Sequence, residues 1–168
     1  MIQFSLTFKL ALKLSQFSLI LSILLPAFTG RCADTTIDWH QGAGPHGNFT
    51  SLESAPLDWS VVRDKNIRWK LTLPETGQSI PVVSRGRVYF TTYAPVIKDS
   101  SLGKDIVAWC CSTRTGRPLW KRNIEGTHPL RLSGCFGDSS SPPAVCANGR
   151  VVFVNASGKI VCFDLKGR

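Results

Sequence analysis

The sequence predicts an all-β protein: short antiparallel strands gathered into four-stranded sheets that repeat along the chain. Three observations support this. Beyond residue 34, short apolar runs alternate with clusters of Gly, Pro, Asn and Ser, and helical periodicity is almost absent. Fourteen Gly and ten Pro supply turns, while nine Phe and five Trp suit a pleated, half-buried surface. Most informative, the chain matches itself. RWKLTL from Arg68 resembles LWKRNI from Leu119, placing Trp69 and Trp120 51 residues apart, each followed by Lys. SIPVVSRGRVYF (79–90) matches SPPAVCANGRVVF (141–153) with one inserted residue, and DIVAWCCSTRTGR (105–117) matches GKIVCFDLKGR (158–168) with a shorter turn. Four short strands at a period of roughly 50 residues are the mark of a propeller blade, a sheet repeated around an axis.

The elements follow in order. Residues 1–33 lie outside that fold and read as a signal peptide: Lys9 and Lys13 precede the short apolar run FSLILSILLPAF (17–28), with no acidic residue. Uncleaved, the stretch from Phe4 to Phe28 is long enough to span a bilayer, but Lys9, Lys13 and Gln16 interrupt it, so no transmembrane domain is expected after cleavage. Arg31 stands where a lipid-attachment signal at Cys32 would want a small residue. Residues 34–168 form the repeat domain. Strands are expected at 67–73, 80–84, 86–92, 105–111, 117–124, 142–146, 150–155 and 159–164, with longer connections at 94–104 and 125–141.

Within GRVYFTT (86–92), successive side chains point to opposite faces, so Val88 and Phe90 share one face and Tyr89 and Thr91 the other. Blades stack face to face, which explains strands that are apolar nearly throughout. Arg85-Gly86 and Asn148-Gly149 read as two-residue hairpin turns, because Gly and Asn accept positive φ. Thr113 to Gly116 and Leu165 to Gly167 are expected to turn the following strand pair.

Formal charge is +9; removing 1–33 removes Lys9, Lys13 and Arg31 and no acid, leaving +6. The remaining basic residues are scattered without a dense run or motif, so a nucleic-acid partner is not expected.

Thr115-Gly116-Arg117-Pro118-Leu119-Trp120 resembles the Thr-Gly-x-x-x-Trp signature of pyrroloquinoline-quinone-type (PQQ-like) β-propeller repeats. The segment 39–48 (WHQGAGPHGN) is similar to the opening Trp-x-Gln-x-x-Gly-Pro of exported bacterial members. Leu57-Asp58-Trp59, Asn66-Ile67-Arg68-Trp69-Lys70 and Ser79-Ile80-Pro81-Val82-Val83 follow in the same order as in that family. The resemblance covers 38–168. There are departures: Ala43 stands where the family usually has Arg, and Ser112 where Asp is typical before the turn, although Asp164 keeps that position in the second copy. The family builds rings of about seven or eight blades. This sequence holds material for roughly two, so an incomplete ring is expected, from a truncated member or one needing a partner chain.

The resemblance implies a non-catalytic, exported binding or scaffold protein, periplasmic or secreted, with envelope proteins or a chain completing the propeller as partners. Part of a quinoprotein dehydrogenase is one alternative, with PQQ and calcium as cofactors; a gene fragment without independent function is another. In quinoproteins of this fold a vicinal disulfide lies against the quinone, which draws attention to Cys110-Cys111. Adjacent strand residues point apart, however, and the repeat sets Cys162 on Cys110, so these cysteines read as small apolar filler. Cys135 and Cys146 bring the number beyond the signal to five, with no Cys-x-x-Cys. His40, His46 and His128 fit no metal spacing, and the serines of 139–141 lie in no Gly-x-Ser-x-Gly elbow. No catalytic, cofactor-binding or metal residues are assigned.

Overall fold

The structure, a computed structural model, describes residues 38–51, 54–94, 105–128 and 138–168. The expected signal peptide at 1–33, with Cys32, and also Cys135 lie outside the described residues.

Two antiparallel sheets are formed. The first runs in the order β1 (Val82–Ser84), β2 (Arg87–Tyr93), β3 (Ile106–Ser112), β4 (Pro118–Ile124), and the second β5 (Val145–Ala147), β6 (Arg150–Asn155), β7 (Lys159–Asp164). Each strand therefore pairs with its neighbour in sequence, as in a propeller blade, and no helix occurs among the described residues. The hairpin turns behave as their sequences require. Arg85 and Gly86 have φ of 50° and 73°, and Asn148 and Gly149 have 49° and 74°, the two successive positive values of a type I′ turn.

Strand bounds differ from expectation where proline intervenes. The expected strands at 80–84 and 142–146 begin at Val82 and Val145, because Pro81, Pro142 and Pro143 have no N–H to give a ladder. Pro118 is tolerated because β4 is an edge strand, and pairing steps from Cys110↔Trp120 to Cys111↔Pro118, leaving Leu119 as an extra residue.

The segment 67–73 is the larger difference, since it is not a strand. Its alternation survives without a ladder. Ile67, Trp69, Leu71 and Leu73 are half-buried while Arg68, Lys70 and Thr72 are exposed. Trp69, Leu71 and Leu73 line a cleft of about 280 Å³ with Val88 and Phe90, on the far face of the first sheet. The side-chain pattern of a strand is present, while no ladder partner occurs for it among the described residues.

The core lies between the sheets. From the first come Val82, Tyr89, Ala108, Cys110 and Ile124, and from the second Cys146, Val151 and Phe153, all buried. Tyr89, Trp120, Phe153 and Phe163 form an aromatic cluster with ring centroids 5.8–6.5 Å apart in tilted or edge-on geometry. Burial of one such side chain contributes about 1.5–3 kcal/mol. The segment 38–40 joins the inner strands of both sheets: the Val83 amide donates to the Trp39 carbonyl (2.8 Å), and the Cys146 amide donates to the His40 carbonyl (2.8 Å).

Candidate interaction surface

The Thr-Gly-x-x-x-Trp signature acquires a physical meaning in the two sheets. Trp120 packs against Gly167 of the second sheet, and not against the glycine of its own motif. An added Cβ at Gly167 would come within 2.8 Å of the Trp120 ring, and Gly167 has φ of 78°. The Trp120 indole N–H donates to the Leu165 carbonyl at 3.0 Å. Trp69 repeats the arrangement one unit earlier: a Cβ at Gly116 would fall 2.6 Å from its ring, and its N–H donates to the Thr113 carbonyl at 2.7 Å. Each Trp thus clamps the turn of the following sheet.

The two turns are held unequally. Asp164 accepts from the amides of Lys166 (2.8 Å) and Arg168 (2.9 Å), and these bonds hold its carboxyl below the usual carboxylate range, the Arg168 amide foremost. Ser112 at the matching position accepts from the Arg114 amide at a longer 3.3 Å.

The registers also make the two sheets comparable residue by residue. Val82↔Tyr89↔Cys110 in the first corresponds to Val145↔Val152↔Cys162 in the second, and Ala108 corresponds to Ile160. Val82, Tyr89, Ala108 and Cys110 are 0% exposed, because the second sheet covers them. Val145 is 44% and Ile160 71% exposed, Cys162 is exposed and Val152 half-buried. The same apolar face is therefore covered in one sheet and uncovered in the next. Among the described residues β7 pairs with β6 on one side, whereas β3 is paired on both.

Cys110 and Cys111 lie on opposite faces of β3, both buried and both free. Burial pushes both thiols up, Cys110 to about 12, and Cys146 is likewise pushed up to about 11, so none is a ready thiolate. No group of three or more His, Cys, Asp and Glu that could hold a metal occurs among the described residues. The two thiols are turned apart on the strand, which is not the arrangement of a vicinal disulfide.

The serine run is a connector. Asp138 accepts from both the amide (2.7 Å) and hydroxyl (2.5 Å) of Ser140, while the Thr91 hydroxyl donates to the Ser140 carbonyl (2.8 Å). His128 is elsewhere, paired through Nδ1 with the Thr127 hydroxyl at 2.8 Å, and Thr127 in turn bonds Ser157. The structure does not assemble these residues into a relay. His40 lies with Asp38, Arg85 and Arg150 around a cleft of about 300 Å³ at the hairpin tips, where Asp38 accepts from the Arg85 amide (2.8 Å) and the Ser84 hydroxyl (3.0 Å). His46 sits in an exposed turn. No helix among the described residues is long and apolar enough to cross a membrane.

The repeat was legible in the sequence, but the residues of the uncovered face were not singled out. The signal was available: Val145, Val152, Ile160 and Cys162 are apolar at positions whose counterparts must be buried.

A four-stranded antiparallel sheet, its repeat, and a Trp clamp on each Thr-Gly-type turn define PQQ-like β-propeller blades. The family model described as "Outer membrane protein assembly factor BamB" matches residues 61–168, and the chain belongs to this family of PQQ-like repeat proteins. Among solved structures it is similar to BamB from Moraxella catarrhalis, at 16% identity and a TM-score of 0.24, over 63% of this chain and 43% of that one. The chain thus spans less than half the length of that protein. No curated protein matches.

Proposed function

We propose that this chain is an exported, non-catalytic repeat protein that works by binding. It presents the exposed apolar side chains of its second sheet to a protein partner within the cell envelope. The observation that carries this reading is the contrast between Ala108, fully buried, and its counterpart Ile160, 71% exposed. Large apolar side chains held on an open face favour a protein partner, since burial on association recovers the free energy that exposure forgoes. Export is supported by the basic, then apolar, pattern of 1–33, and an envelope setting by the family's description.

Photo-crosslinking in cells from position 160, with position 89 on the covered counterpart face as control, tests the proposal. A discrete adduct in the envelope fraction, lost when Val152→Asp is introduced, supports it. Adducts limited to general chaperones, or an uncleaved cytoplasmic chain, would oppose it. The dehydrogenase alternative is tested by titrating PQQ and calcium into the purified chain; saturable quinone binding with dye-linked alcohol oxidation would displace the binding reading.

A further inference from the structure

The two sheets set their first hairpin turns side by side, and the cleft between those turns carries more positive than negative charge. We propose that this cleft binds a small oxyanion, a phosphate or carboxylate group carried by a low-molecular-weight ligand. The site lies apart from the exposed apolar residues of the second sheet and does not rest on the binding reading above.

Both sheets build its walls. Segment 38–40 bridges their inner strands through the Trp39 and His40 carbonyls, which holds the two turns next to each other. Ser84 and Arg85 come from the first turn, and Gly149 and Arg150 from the second, around about 300 Å³. That is the lower end of the range in which small molecules bind, and it suits a phosphate or a short dicarboxylate. Arg85 reaches across the cleft: one of its terminal nitrogens lies 3.4 Å from where a Cβ would stand at Gly149. Glycine therefore leaves room for the first sheet's arginine to rest on the second sheet's turn.

The charges point to an anion. Asp38 is the only carboxylate among the described residues that line the cleft, and both its oxygens are engaged. Oδ1 accepts from the Arg85 amide (2.8 Å) and Oδ2 from the Ser84 hydroxyl (3.0 Å), so it shapes the first turn. Among the described residues no carboxylate forms an ion pair with Arg85 or Arg150. A third guanidinium stands close by. Arg87 is paired opposite Ser84, so the two side chains share the face turned to the second sheet, and Arg87 Nε is buried without a hydrogen-bond partner. Its charge is felt at Tyr89 and Cys110, where it opposes the upward push of burial. Three guanidinium groups thus border this end of the gap between the sheets, against one carboxylate already committed to a turn. Guanidinium forks match the paired oxygens of phosphate and carboxylate, and a bound oxyanion offsets the repulsion among the arginines.

Titration calorimetry of the full chain at a fixed ionic strength of about 50 mM tests the proposal, with inorganic phosphate in one arm and succinate in the other. Saturable binding at one site per chain, with a Kd of about 1 mM or tighter, is expected in at least one arm. Phosphate alone assigns a phosphorylated ligand, succinate alone a carboxylated one, and both together a site that reads the shared oxyanion. Arg85→Gln and Arg150→Gln, at exposed positions, should each weaken binding roughly tenfold or more with near-ultraviolet circular dichroism unchanged. Arg114→Gln, exposed but outside the cleft lining, should leave binding as it is. In the isotope-labelled chain the Gly86 and Gly149 amide resonances should move as the site fills. Heats that do not saturate with either ligand up to about 20 mM, or binding that the double variant Arg85→Gln with Arg150→Gln leaves unchanged, overturn the inference.

Discussion

Gly167→Ala should destabilise the chain far more than Gly86→Ala, although both glycines sit at similar positive φ, 78° and 73°. Placing Ala in that left-handed conformation costs about 1–2 kcal/mol in either case. At Gly86 the new methyl meets only the Thr113 hydroxyl oxygen at 3.9 Å, an ordinary contact, so backbone strain is the whole effect. At Gly167 it would lie 2.8, 3.0 and 3.1 Å from three atoms of the Trp120 ring, the first closer than real contacts allow and the others tight. The ring must move, and its 3.0 Å hydrogen bond to the Leu165 carbonyl lengthens or breaks, a further loss of about 1 kcal/mol. Disturbed packing with Tyr89, Phe153 and Phe163 adds to this. The expected totals are about 1–2 kcal/mol for Gly86→Ala and roughly 3–4 kcal/mol for Gly167→Ala. Urea unfolding followed by tryptophan fluorescence measures both. Equal midpoints would show that the tryptophan clamp contributes nothing beyond backbone conformation, and the account of the signature motif would fail.

Three further outcomes are expected. Ser112→Asp gives the first turn the acceptor that Asp164 provides in the second and should stabilise the chain by about 0.5–1.5 kcal/mol; an unchanged urea midpoint would mean that the longer serine contact already suffices. Tyr89→Phe removes a buried hydroxyl whose polar neighbour is the weakly bonding Cys110 thiol, so it should be neutral or stabilising, whereas a loss of about 2 kcal/mol or more would reveal a stronger partner for that oxygen. Because burial raises the Cys110 and Cys146 thiols from an ordinary 9.0 to about 12 and about 11, the unfolded chain ionises first. Their stabilising contribution is complete below pH 9 and falls as pH rises through that window, so Cys110→Ala with Cys146→Ala should flatten the alkaline decline in melting temperature; a decline of the same slope in this variant would place the alkaline sensitivity elsewhere.

Most of the fold was legible because propeller blades are local. Each strand pairs with the next in sequence, so apolar runs and Asn148-Gly149 or Arg85-Gly86 turns were enough to order β1 to β7. The segment 67–73 was misread for the complementary reason: Ile67, Trp69, Leu71 and Leu73 state which side is buried, but a ladder also needs a neighbour, and no pattern within the segment reports one. Strand alternation was enough to read Cys110 and Cys111 as lying on opposite faces, and both are buried. The binding surface was less visible. Whether Ile160 is buried or open depends on what lies over it, a property of the assembly and not of the strand.

Among the described residues β3 is paired on both sides and β7 on one, with β6. Residue-resolved amide exchange of the chain, at a concentration where it is monomeric, tests this most directly. Continuous protection is expected along β3, Ile106–Ser112, and protection of alternate amides along β7, Lys159–Asp164, where β6 is the partner. Continuous protection along β7 in the monomer, or uniformly fast exchange along β3, would contradict it.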